Sequence, residues 1–216
     1  MTPVLDIQGR YRLLYKPLLF AAGSAPLVWS LIEIGPDPVE EMVHTFGKTA
    51  LNFLLLTLLI TPLRQLGGWP HLLRLRRMLG LFAFFYAVLH LLAYAVLDQG
   101  LDLAAVLEDI AKRPYITLGF TAVLILVPLA ITSTNRMMRR LGRRWQKLHR
   151  LVYVAAILGV WHFYWQVKAD IREPLIYAAM LAVLLGYRLY VPWRARRPVA
   201  ERTATRSDGR MDGAKC

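Results

Sequence analysis

Six stretches of this chain contain no charged residue at all: Pro17–Ile32, Thr49–Leu63, Met78–Leu97, Pro114–Asn135, Leu151–Val167 and Pro174–Tyr187, the last continuing past Arg188. Runs of this kind limit the possible folds more than anything else in the sequence. A soluble core is met by apolar residues spaced at a helical or strand period, whereas a bilayer demands about 20 consecutive apolar residues per helix. The shorter runs reach that length by including Lys16, Lys48 or Arg188, whose long stems let the charge snorkel to the interface. Alternation at period two is absent, which excludes a membrane barrel. The expected fold class is therefore an all-α integral membrane protein of six transmembrane helices, consistent with a 56% hydrophobic composition.

The formal charge of +13 would suit a nucleic-acid binder, but its placement argues for a membrane topology signal instead. Arg10, Arg12 and Lys16 precede the first run, Arg64, Arg74, Arg76 and Arg77 fill the second loop, seven Lys/Arg lie between Asn135 and Leu151, and seven more follow Trp193. The first and third loops carry "EIGPDPVEE" and "DQGLDLAAVLEDIAKR" instead. Basic residues mark cytoplasmic loops, so both termini are expected inside. The basic runs also suit anionic membrane lipid, and no nucleic-acid partner is expected. The first apolar run is read as an uncleaved helix rather than a signal peptide, because five spans follow it in a consistent orientation. Residues 1–10 are then a short cytoplasmic N-terminus, 11–193 the helical bundle, and 194–216 a polar, basic cytoplasmic tail expected to be disordered.

Cys216 is the one cysteine, which removes disulfides, CxxC chemistry and thiolate metal cages. No dinucleotide or phosphate-loop motif appears, and no repeat at a fixed period is visible. Metal chemistry must rest on five histidines. Along a helix rising outward from Met78, His90 lies about 18 Å deep, and His162 lies about 20 Å along the fifth span from His149. The two are thus at one depth on helices running the same way, an arrangement suited to a bis-imidazole haem. An interhelical hydrogen bond or a proton relay is the plainer reading of either histidine alone. His149 opens the fifth span as a cap or as a second iron ligand. On an ideal helix it would point about 140° away from His162, an angle that tilt or a π-bulge would have to absorb. His44 reads as interfacial, and His71 as a remote sixth-ligand alternative. The aromatics of "WHFYW" read mostly as an interfacial belt.

The third span, "RRMLGLFAFFYAVLHLLAY", and the fifth, "RRWQKLHRLVYVAAILGVWHFYW", resemble the ferric reductase and NADPH oxidase transmembrane domain over residues 10 to 193. More narrowly they resemble the MsrQ (YedZ) family, haem-binding membrane subunits of bacterial periplasmic methionine-sulfoxide reductase systems. That resemblance implies one or two b-type haems, a location in the bacterial inner membrane, and electrons taken from quinol or a cytoplasmic flavin reductase. It also implies a periplasmic molybdopterin-containing partner that reduces methionine sulfoxide, and FMN as a further cofactor. By position, His90 and His162 match the outer ligand pair and His149 the inner site. Arg76 stands where the larger group has a second histidine; a permanently cationic guanidinium is a poor iron ligand but can pair with a haem propionate or flavin phosphate. The reductase module of larger relatives is also missing, so electrons must arrive from another protein or from quinol.

The expected function is a membrane cytochrome b that relays electrons outward and has no substrate-reducing site of its own. A small transporter using His90 and His162 as a proton relay, and a cofactor-free anchor, are the alternatives. A reducible Soret band separates the first from both.

Overall fold

A computed structural model describes residues 16–32, 35–68, 72–167 and 170–195. Among the described residues every regular element is helical: α1 Lys16–Ile32, α2 Pro38–Gly67, α3 Leu73–Leu92 with a π-helical continuation Ala93–Asp98, α4 Leu103–Lys112, α5 Pro114–Ile131, α6 Asn135–Leu141, α7 Arg143–His149, α8 Leu151–Gln166 and α9 Arg172–Ala195. Each of the six charge-free runs lies largely within one long helix. Among the described residues three helices are by themselves long and apolar enough to cross a membrane: Pro38–Gly67, Leu73–Asp98 and Pro114–Ile131. The N-terminal segment 1–10, His71 and tail residues 196–216 lie outside the described residues. The last helix continues through Arg194 and Ala195.

Local chemistry sets the helix ends. Pro38 opens α2, where its missing N–H costs nothing, and Asp37 caps it by accepting from the Glu40 amide at 3.3 Å. Gly68 closes it at φ 66°, a left-handed conformation that favours glycine. At 30 residues α2 spans about 45 Å, longer than a hydrocarbon core. It begins well before Thr49 because Glu40, Glu41 and Lys48 are helical residues that a charge-free criterion discards.

Packing divides the bundle into two antiparallel pairs, α2 with α3 and α5 with α8. The pairs meet where α3 packs on α5 and α2 on α8, with α1 on α2 and α9 against both α2 and α8. The core is aromatic at its centre. Phe82 stacks on Phe53 at 5.3 Å, Phe53 on Tyr86 at 5.8 Å, and Phe20 leans on Phe82. Pro26 breaks the backbone ladder of α1, and the fully buried Tyr86 repairs it: its hydroxyl donates to the Gly23 carbonyl at 2.6 Å and accepts from the Leu27 amide at 3.2 Å. Outward-facing positions such as Leu18, Trp29, Ile131, Val183 and Leu189 are exposed and apolar, as a lipid-facing surface requires.

The two ends of the bundle differ in charge. Lys48 pairs with Glu173 at 2.7 Å at the end carrying Asp37, Asp98, Asp102 and Asp109. Arg77 bonds Asn135 at the opposite end, with Arg76 and the arginines of α6 and α7. The acidic-end loop also contains a helix absent from the sequence reading, the amphipathic α4, which Asp102 caps through the Ala104 and Ala105 amides.

Candidate functional site

Between the two helix pairs lies a cavity of about 450 Å³, within the range of roughly 300–1,000 Å³ typical of ligand sites. Its inner walls use small residues, Ala83 and Ala87 of α3 and Ala155 and Gly159 of α8, which keep space open between closely packed helices. Its mouth lies at the acidic end among Glu40, His44, Lys48, Asp98 and Arg113. Above it, Tyr94 of the π-helical turn donates to Asp109 of α4 at 2.6 Å, tying the loop helix to α3.

His90 and His162 both line this cavity, with ring centroids 6.0 Å apart and planes at 72°. The matched depth read from the sequence therefore brings two imidazoles together. Each is held in the same way. The Nδ1–H of His90 donates to the Val43 carbonyl of α2 at 2.8 Å, and the Nδ1–H of His162 donates to the Tyr115 carbonyl of α5 at 2.7 Å. A carbonyl only accepts, so the proton sits on Nδ1 in both and Nε2 keeps its lone pair. Glycine makes the approach possible. A Cβ on Gly47 would lie 3.0 Å from His90 Cε1 and Nδ1, and one on Gly119 would lie 2.9 Å from His162 Nδ1. Each glycine sits one turn after the carbonyl that holds the ring. The triplets Val43–Gly47–His90 and Tyr115–Gly119–His162 repeat with one constant offset, and both hydrogen bonds span 47 residues. A structural repeat thus exists where no sequence repeat was visible.

His149 closes α7 at the basic end. It stacks on Trp145 at 3.9 Å, its Nδ1–H donates to the Trp145 carbonyl at 3.2 Å, and its Nε2 is buried without a well-formed hydrogen bond. Burial lowers its pKa below the ordinary value; the Trp145 and Leu129 carbonyls oppose this, and the Arg76 charge adds to it. The neutral ring that can act as a ligand is thereby favoured. His149 and His162 are not on one uninterrupted helix. A tight turn at Arg150, whose amide donates to Lys147 at 3.2 Å, separates α7 from α8. Arg76, half-buried in the first turns of α3, is within electrostatic reach of His149. His44 is not merely interfacial: it lines the cavity mouth beside Glu40.

The residues fit a porphyrin. Two imidazole nitrogens bound to one metal ion at about 2.0–2.1 Å each place their ring centroids about 6 Å apart, the separation found here. Donation of the second ring nitrogen to a backbone carbonyl is how ligating histidines are normally oriented. Among the described residues no three His, Cys, Asp or Glu side chains converge on a metal site. Any further ligands must come from the bound group, and a porphyrin's four equatorial nitrogens supply them. The orphaned Nε2 of His149 fits a second axial ligand, for which the described residues offer no opposing histidine.

Residues 46–160 match the ferric reductase like transmembrane component. A Xanthomonas oryzae pv. oryzae protein, the protein-methionine-sulfoxide reductase heme-binding subunit MsrQ, is 52% identical over 88% of this chain and 92% of its own length. The chain belongs to the MsrQ family. Further MsrQ proteins agree: that of Xanthomonas campestris pv. campestris strain 8004 is 57% identical over 79% of this chain and 78% of its own, and that of Brucella ovis 50% identical over 84% of each. Like them, this MsrQ-family chain is a membrane protein built on a ferric reductase-like helical domain.

Proposed function

We propose that the chain is a six-span cytochrome b of the bacterial inner membrane, with both termini cytoplasmic, that passes electrons outward to a periplasmic molybdopterin methionine-sulfoxide reductase. The observation that carries this reading is the imidazole pair of one depth, 6.0 Å apart, each ring clamped through Nδ1 with Nε2 left to bind metal. Haem b, when bound, supplies reversible one-electron chemistry at iron. The chain does the rest. His90 and His162 would hold the iron, the Val43 and Tyr115 carbonyls fix the rings and would raise their basicity, and the apolar walls exclude water. His149 is proposed as ligand of a second haem at the basic end, about 20 Å away along the helix axis. Arg76 beside it faces the anionic edge of a cofactor, a haem propionate or the phosphate of FMN. Quinol or a cytoplasmic flavin reductase serves as donor. The proton-relay reading is not favoured, because both Nδ1 protons are committed to backbone carbonyls that cannot pass them on.

His90→Ala and His162→Ala are each expected to remove one and the same haem signal from the dithionite-reduced spectrum, and His149→Ala a different one. Full haem content with unchanged spectra in the first two variants would refute the assignment.

A further inference from the structure

The basic end holds a set of cations that electron transfer does not explain. Arg188 of α9, read from the sequence as a snorkelling residue, instead turns into the bundle. Pro62 of α2 has no N–H to give the Leu58 carbonyl, and Arg188 Nη2 takes that place, donating to Leu58 at 2.7 Å and to Thr61 Oγ1 at 2.8 Å. Its guanidinium lies 4.9 Å over the Tyr153 ring. Repairing a proline break needs only one nitrogen, and a neutral amide would serve. The buried Nε and Nη1 of Arg188 make no well-formed hydrogen bond, Tyr153 being the side chain nearest to satisfying them, and neither does the buried Nε of Arg64, one turn beyond Thr61. Three of the four orphaned buried polar side-chain atoms among the described residues are thus guanidinium nitrogens at one end of the bundle, and the fourth is His149 Nε2. Arg76 is within electrostatic reach of Arg188 as well as of His149.

A buried guanidinium without a counter-charge is costly, and an unsatisfied donor calls for a partner. Every carboxylate among the described residues lies on the acidic half of the bundle, and all four ion pairs found there are at that end. Arg64, Arg76 and Arg188 therefore require an anion from outside the described chain. Several guanidinium groups at one end of the bundle suit a group with several acceptor oxygens and more than unit charge. Arg188 is about 10 Å from the end of α9, the level at which both lipid headgroups and cytoplasmic solutes are met.

We infer that Arg188, with Arg64 and the Arg76 charge that it shares with the second-haem site proposed above, forms an anion site for a phosphate group at the basic end of the bundle, distinct from the imidazole cavity. The phosphate belongs either to a soluble species or to an anionic phospholipid headgroup. The site is tested on delipidated full-length protein by melting temperature. Sodium phosphate is compared with sodium chloride of equal ionic strength, and nanodiscs containing phosphatidylglycerol with pure phosphatidylcholine discs. At tenfold excess over Kd the occupied site is expected to raise the melting temperature by about 3–6 °C. A shift with free phosphate assigns a soluble source, and a shift confined to phosphatidylglycerol assigns the headgroup; both support the site when Arg188→Gln and Arg76→Gln lose the shift while Arg188→Lys keeps part of it. Absence of any shift in the wild type, or a full shift in a monodisperse Arg188→Gln protein, overturns it. If Arg188→Gln does not fold, Arg76→Gln decides alone: a full shift there overturns the site. The haem spectrum of the same samples reads the His90–His162 pair separately, so failure of the anion site and failure of the haem assignment are told apart.

Discussion

Replacing Gly119 by alanine places a methyl group against the His162 imidazole. The new Cβ would stand 2.9 Å from His162 Nδ1 and 3.0 Å from Cε1, where ordinary contact begins at 3.4 Å. Ring and helix must therefore separate by about 0.5 Å, the tolerance within which a ligating side chain must be held. The ring cannot simply retreat, because its Nδ1–H is anchored at 2.7 Å to Tyr115 on the same helix as Gly119. Moving away stretches that bond to about 3.2 Å, the outer limit of the usual N–H···O range, and loosens the orientation of the ring. Loss of such an outer-shell contact typically weakens metal binding about 10–100-fold, equivalent to about 1.4–2.8 kcal/mol. Soret titration of haem into the apoprotein, with pyridine-haem quantitation of the purified variant, measures it directly. Gly186→Ala is the control, since a Cβ there meets nothing within 4 Å and alanine gains helix propensity of up to about 1 kcal/mol. Gly47→Ala, with its contact at 3.0 Å to His90, should behave like Gly119→Ala at the other face of the same iron. Wild-type haem affinity and spectrum in Gly119→Ala would show that His162 is not held against α5 as a ligand, and the clamp argument would fall.

Three further outcomes follow from the same geometry. Tyr86→Phe removes the hydroxyl that bridges Gly23 and Leu27 across the Pro26 break and is expected to cost about 1–3 kcal/mol in a denaturation assay in detergent; unchanged stability would mean that α1 closes its own ladder. Single cysteines at positions 37 and 102 in a Cys216→Ser background should react with an impermeant reagent from the periplasmic face and one at 140 should not, on the charge asymmetry of their loops; the reverse pattern inverts the topology. Dithionite-reduced protein should not be reoxidised by methionine sulfoxide alone, because thiol-dependent sulfoxide reduction needs a reactive cysteine and the chain's one cysteine ends its tail. Rapid reoxidation of the Cys216→Ser protein without a partner would place a catalytic site within the membrane chain.

The positions of the long helices were legible because charge-free runs report burial in lipid directly, but their ends were not. Glu40, Glu41 and Lys48 belong to α2, and a rule that stops at charge removes its first three turns. The depth of His90 and His162 could be counted at 1.5 Å per residue, so the pair was foreseeable; their partners were not, because a backbone carbonyl bears no sequence label. Gly47 and Gly119 were visible signals that went unread, each standing at the same separation from its histidine. Arg188 was misread because a lone cation at the edge of an apolar run looks like an interfacial anchor. Its true placement depends on Pro62, 126 residues earlier in the chain, and on the carbonyl that this proline leaves vacant.

The two clamps lie on different helix pairs, His90 with the α2–α3 hairpin and His162 with α5 and α8. Neither pair alone offers more than half of an axial ligand set. A metal centre bound between them would act as a cross-brace, and its binding free energy would add to the stability of the interface it joins. The bundle then has a natural seam through its cavity, from the acidic mouth inward. Maturation would proceed with both hairpins inserted first and the brace added last, and a chain deprived of haem would part along that seam before its individual hairpins came undone.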